Sequence, residues 1–186
     1  MKSILAINKP PRNRRTDWNH RIEAIRAVDD AEAKELARHH FLLAQVDCIG
    51  DLKRGITDQS KFAKMSKAEL KMVGKWQAHN AVNRVFGSCR VMQRFQPGLL
   101  AITKLAGGVL PSDLREIEQK IWRTLGQMEE VRRRYYSYNS PAARLTIDLS
   151  SEMRPLCDEL YNQIVAIYAL AQSRYDLPDI EIGGAQ

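Results

Sequence analysis

The chain has 186 residues, 44% of them hydrophobic and 27% charged, and a formal net charge of +7. One core can be buried at this length without disulfide staples, and Cys48, Cys89 and Cys157 lie too far apart in sequence to make a metal-ligand set. The longest apolar run, Ile164 to Ala171, is less than half of the roughly 20 residues a bilayer span needs, which excludes a membrane-spanning protein.

The N-terminal stretch MKSILAINKPPRNRR has an apolar segment too short for the core of a secretory signal, so no export is expected. An odd, isolated set of cysteines reads as reduced thiols, packed as small hydrophobes in a cytoplasmic protein. Residues 1–15 hold five bases and no acid. Paired prolines resist helix and the arginines repel one another, so residues 1–16 read as an extended basic arm carrying Arg12, Arg14 and Arg15.

Asp17 can cap a first helix that presents Trp18, Ile22 and Ile25. Asp29 and Asp30 can cap a second, with Leu36, Ala37, His40, Leu43 and Ala44 on one side and its end at Gly50, unless the first helix continues through them. Residues 16–52 are acidic, with eight acids against four bases. His39 and His40 follow Glu35 by one turn but point about 100° apart on a helix, so only one could join a ligand pair. No metal or other cofactor is expected; His40 reads as a half-buried hydrogen-bonding residue and His39 as solvent-facing.

Residues 53–94 reverse the balance, with ten bases against two acids. In KFAKMSKAELKMVGKW, residues 61–76, Lys61, Lys64, Lys67, Lys71 and Lys75 share one side of a helical wheel, opposite Phe62, Met65, Leu70, Met72, Val73 and Trp76. Past Trp76 the wheel inverts. Val82, Val85, Phe86, Cys89 and Met92 take the arc of the lysines, while Asn83, Arg84, Arg90 and Arg94 take the other. Either the helix breaks at 77–80, with Asn80 capping its successor, or one long helix changes partners; the break is the expectation.

Pro97 and Gly98 are expected to end a helix, with a short apolar helix from Leu99 to Ala106, stopped by Gly107 and Gly108, and Ser112 capping the next. A helix-turn-helix fits poorly there, because the exposed positions of SDLREIEQK are as acidic as basic, the reverse of a groove-entering helix. Leu114, Ile117, Ile121, Leu125, Met128, Val131, Tyr135 and Tyr138 then repeat at threes and fours, and a last helix from Ser150 or Ser151 is apolar over half its wheel, from Leu156 to Ala171. These two predict an antiparallel hairpin with apolar surface left for a homo-oligomer.

The fold expected is therefore all-α: a multi-helix bundle with a C-terminal antiparallel hairpin and a basic arm. It comprises a single helical domain over 17–176, acidic helices in 17–50, basic helices in 53–95, the hairpin at 113–138 and 151–175, and a loose tail at 177–186. The order of basic helical region and hairpin resembles the layout of the small terminase subunits of bacteriophages, which implies a packaging accessory.

For function, VRRRYYSYNSP at 131–141 mixes arginine and tyrosine, but Glu129 and Glu130 can pair with Arg133 and Arg134, and Tyr135 and Tyr138 fall on the apolar seam, so the cluster reads as structural. No phosphate loop, HExxH, nucleophile elbow or CxxC pair is present, and His20 with Glu23 is a common spacing, so no enzyme is expected. The lysine stripe has only Asp58 and Glu69 near it in sequence. It points to DNA or RNA held by phosphate contacts through Arg12, Arg14, Arg15, Lys61, Lys64, Lys67, Lys71 and Lys75, in a regulator or a replication or packaging accessory. The alternative is an adaptor or inhibitor docking on an acidic protein.

Overall fold

The computed structural model describes residues 14–138 and 144–180. Among these, every regular element is helical: α1 (Arg14–Ala27), α2 (Asp30–Leu42), α3 (Ile49–Ala63), α4 (Lys67–Val73), α5 (Lys75–Val85), α6 (Ser88–Leu105), α7 (Ser112–Ser137) and α8 (Ser150–Tyr175). None of them is long and apolar enough to cross a membrane. The basic arm lies outside the described residues up to position 13, and positions 14–16, assigned to it from sequence, are instead the first turn of α1.

Asp29 starts α2, its Oδ1 accepting from the amide of Glu32 at 2.9 Å. From there the backbone stays helical through a π-helical segment, Leu43–Cys48, into α3. Gly50, expected to end a helix, therefore lies inside one. A π turn takes up an extra residue, which lets the buried face continue from Ala37 and Phe41 to Ile49, Leu52 and Ile56 along one rod.

Two glycines let helices lie against this rod. A Cβ on Gly55 of α3 would sit 2.5 Å from Cβ of Arg84 and 2.7 Å from the backbone nitrogen of Val85, so α5 crosses α3 at backbone contact. A Cβ on Gly98 of α6 would sit 2.8 Å from the ring of Phe41, where α6 crosses α2. The expected helix end at Pro97 and Gly98 does not occur. α6 runs through both, because Val91, Phe95, Leu99 and Ile102 are buried along the helix and that packing outweighs the hydrogen bond proline removes.

The expected break at 77–80 is also absent, since α5 runs unbroken from Lys75 to Val85. The chain turns earlier, at Gly74, whose φ of 85° suits glycine. That turn accounts for the inverted wheel: residues on either side belong to different helices.

α7 and α8 pack antiparallel, cross-linked by Arg174 to Asp113 at 2.6 Å, by Thr124 to Gln163 at 3.1 Å, and by Arg134 to Glu152. The apolar face of α8 goes into the molecule's own core through Met153, Leu160, Ile164, Ile167, Tyr168 and Ala171, leaving Val165 as its exposed large hydrophobic. Tyr138, expected on the seam of α7, is exposed. Residues 177–180, expected loose, are docked: Leu177 is buried and the Tyr168 hydroxyl donates to the carbonyl of Pro178 at 2.6 Å. Residues 181–186 lie outside the described residues.

Cys48 and Cys157 are buried as expected, whereas Cys89 is exposed, because it sits on the outward side of the first turn of α6. His39 faces solvent and His40 is half-buried. The hydrogen bond expected for His40 is missing at Nδ1, which is buried without a partner among the described residues. Burial, with the charges of His39, Arg94 and Arg21, pushes its pKa down to about 4.

Two measurements test this packing. Gly55→Ala should lower stability by about 2 kcal/mol, because the methyl group meets backbone. Gly126→Ala, which meets nothing within 4 Å, should raise it by roughly 0.5–1 kcal/mol through helix propensity; urea unfolding reads both. For His40, the unfolded chain takes up a proton near the ordinary 6.5 and the fold only near 4, so stability is full above 6.5 and falls as pH drops toward 4. Wild type should lose about 2 kcal/mol between neutrality and about pH 5, and His40→Leu should lose none of it.

Candidate nucleic-acid interface

The segment carrying the lysine stripe folds as three pieces. α3 ends at Ala63, with Lys64 in its C-cap position. Ser66 then starts α4 with a capping box: its Oγ accepts from the amide of Glu69 at 3.3 Å, and its own amide donates to Glu69 Oε2 at 2.7 Å. The hydroxyl and amide of Ser66 hold the Glu69 carboxyl below the usual carboxylate range. α4 has no buried residue; Leu70 and Val73 are half-buried, and it packs chiefly on α5.

The single amphipathic helix expected over 61–76 therefore does not form. Lys61 lies in the last turn of α3, Lys64 in its cap, Lys67 and Lys71 on α4, and Lys75 opens α5. Lys67 and Lys71, four apart on one helix, share a face. The apolar side divides as well. Phe62, Met65, Leu70 and Val73 are half-buried, but Met72 is 89% exposed and Trp76 75% exposed. The two joints reset the helical phase and turn them to solvent.

Most described cations of this region meet carboxylates, Arg54 on its own helix and the others across elements. Lys53 reaches Asp158 at 3.0 Å, Arg54 reaches Asp51 at 2.7 Å, Arg84 reaches Asp58 at 3.5 Å and Arg90 reaches Asp51 at 3.3 Å. The Arg54 guanidinium holds the Asp51 carboxyl below its ordinary value, and the bond to Asp158 raises Lys53. Lys64 is also engaged, 3.4 Å from Asp148. Lys61, Lys67 and Lys71 are exposed and have neither ion pair nor hydrogen bond among the described residues. The side chains of Arg14, Arg15 and Lys75, and the whole of Arg12, lie outside the described ones.

Asp148 organises the edge of this surface. Its Oδ1 accepts from the amide of Ser150 at 2.9 Å, and its Oδ2 accepts from the Ser60 hydroxyl at 3.0 Å besides facing Lys64. Burial pushes its carboxyl up, but Ser150, Ser60 and Lys64 outweigh that and hold it down at about 2. Beside it the Gln59 amide donates to the carbonyl of Ile147 and accepts from the amide of Leu149, so α3 grips the connector into α8.

The arginine–tyrosine cluster is occupied internally. Arg132 pairs with Glu129 at 2.9 Å and Arg133 with Glu130 at 3.3 Å, each at i,i+3 rather than the expected i,i+4, while Arg134 takes Glu152 of α8. Tyr136 lies under both Arg132 and Arg144. Among the described residues no three His, Cys, Asp or Glu side chains gather as a metal would need. A cleft of about 380 Å³ between α1 and the end of α6 is lined by Ile22, Ile25 and Leu100, with Arg26, Lys104 and Thr103 as its polar groups.

Two signals for this geometry stood in the sequence unread: Ser66-x-x-Glu69 as a capping box, and Gly74 as a joint. Asp58, Asp148 and Asp158 reach their cations, and Asp51 reaches Arg90, only through tertiary packing; Asp51 with Arg54 is an i,i+3 pair within α3. Scans of protein-family models and searches of curated proteins and of solved structures find no match to this chain.

The folded Asp148 carboxyl titrates at about 2 against an ordinary 3.8, so it contributes stability above 3.8 that disappears as pH falls through 2. Asp148→Asn should cost about 1 kcal/mol at neutral pH, solvent screening reducing the full effect of the shift, with the gap to wild type closing in acid; urea unfolding across pH measures it.

Proposed function

We propose that the protein is a non-enzymatic nucleic-acid-binding protein, most simply a DNA-binding regulator or a replication or packaging accessory, that holds its ligand by phosphate contacts. One observation carries the reading: among the described residues Lys61, Lys67 and Lys71 have no carboxylate partner, while the other described cations between 53 and 90 do. Positive side chains on adjoining turns repel one another, and a polyanion supplies the missing countercharge. Arg12, Arg14 and Arg15 would extend the contact along the backbone of the ligand. A cytoplasmic location accords with the free thiols. Self-association, the remaining part of the reading, draws on Val165 of α8 and Val109, which are exposed apolar side chains; mass in solution tests it.

Fluorescence anisotropy with labelled duplex DNA, single-stranded DNA and RNA at low salt tests the binding. Wild type should bind at least one of them, with log affinity falling against log salt by about 0.9 per phosphate for duplex and about 0.7 for single strands. Lys61→Glu, Lys67→Glu and Lys71→Glu together should abolish binding while circular dichroism stays unchanged. Absence of binding to all three ligands overturns the proposal and transfers the surface to the second reading, docking on an acidic protein.

A further inference from the structure

We propose that Trp76 is a base-stacking platform, and that the ligand taken by the lysine face is single-stranded nucleic acid. The inference rests on the nucleic-acid reading and narrows it to one ligand class.

Trp76 stands on the first turn of α5, 75% exposed, while the packed face of that helix is made by Ala78, Ala81, Val82 and Val85. At about 100° per residue, Trp76, Asn80 and Asn83 follow one line along the helix. The indole thus heads a row of amides, groups that donate and accept and so match the edges of unpaired bases. Exposed Met72 stands in the last turn of α4, just before the Gly74 joint.

The charge around the indole fits phosphates. From Leu70 to Ser112 the sequence holds no Asp or Glu, and Asp58, which packing brings to α5, faces Arg84 at the other end of that helix. The nearest acid before it, Glu69, is folded back onto Ser66 in the capping box, leaving Lys67 and Lys71 on the exposed face of α4. Aromatic rings beside a basic track are how single strands are held without sequence preference, each base offering a face that a duplex keeps inside its stack.

Size decides against a protein contact. Two apolar side chains are far less than the roughly 800 Å² per partner of a stable protein interface, yet one indole suffices for one base.

Tryptophan fluorescence tests this with three ligands: oligo(dT), an abasic strand of the same length, and duplex. Oligo(dT) should quench wild type, and the quench should vanish in Trp76→Ala, which also separates it from Trp18 and Trp122. By anisotropy, Trp76→Ala should weaken oligo(dT) binding about tenfold or more, leave the abasic strand unaffected, and be rescued by Trp76→Phe. Equal affinity of Trp76→Ala and wild type for oligo(dT), or equal quenching by the abasic strand, overturns the stacking role while the lysine reading stands. Failure of wild type to bind any of the three removes both. Quenching of Trp76 by polyglutamate but not by oligo(dT) would assign the surface to an acidic protein.

Discussion

Two close helix crossings at glycines determine where everything else in this molecule can lie. α2 and α3 form one rod, and each half accepts a partner closely only where a side chain is missing: Gly98 of α6 against Phe41, and Gly55 against the backbone of Arg84 and Val85. The second crossing pins α5 by its C-terminal end. Its N-terminal end, with Trp76, is left at the surface together with α4, which has nothing buried of its own. Of the exposed lysines, Lys67 and Lys71 therefore sit on the part of the chain that the core does not grip, and Lys61 on the last turn of α3 beside it.

The same crossings sort the charges. Bringing α5 and α6 onto α3 puts Arg84 beside Asp58 and Arg90 beside Asp51, and packing α8 on α3 puts Lys53 beside Asp158. Such exposed pairs each contribute little to stability. Their importance is local charge: in a segment with ten bases and two acids in sequence, Lys53, Arg54, Lys64, Arg84 and Arg90 meet four carboxylates in the fold, which leaves Lys61, Lys67 and Lys71 without one among the described residues. Net charge over a stretch of chain thus overstates the binding face, and the partners each cation meets in space define it.

The helical class, the core positions of α7 and α8 up to Tyr135, and the cap at Asp29 were all legible, because each is written in spacing within one helix. Joints were harder. Gly50, Pro97 and Gly98 look like helix ends, yet all three lie inside helices, since continuous packing against a neighbour outweighs a local propensity of about 1 kcal/mol for glycine or about 3 for proline. Gly74 does break the chain, but the lysine periodicity runs straight across it and hides the joint, whereas Gly107 and Gly108 follow the end of α6 as expected. Of the site, the lysine identities could be read and their division among three elements could not, and the exposure of Trp76 and Met72 follows only from that division.

That division also explains how so short a helix as α4 keeps its place. Helices of this length are marginal by themselves, since the nucleation penalty is spread over few hydrogen bonds. Here the start is fixed by Ser66 and Glu69 answering each other, and Leu70 and Val73 provide the only partial burial. An element secured by a cap and two half-buried side chains belongs to the low-stability end of a fold, from which ligand-binding segments are drawn. Lys67 and Lys71 repel one another on it, and a bound polyanion relieves that repulsion where the protein's own packing offers least support. The surface that gains most from a ligand is thus the one the core leaves nearly free.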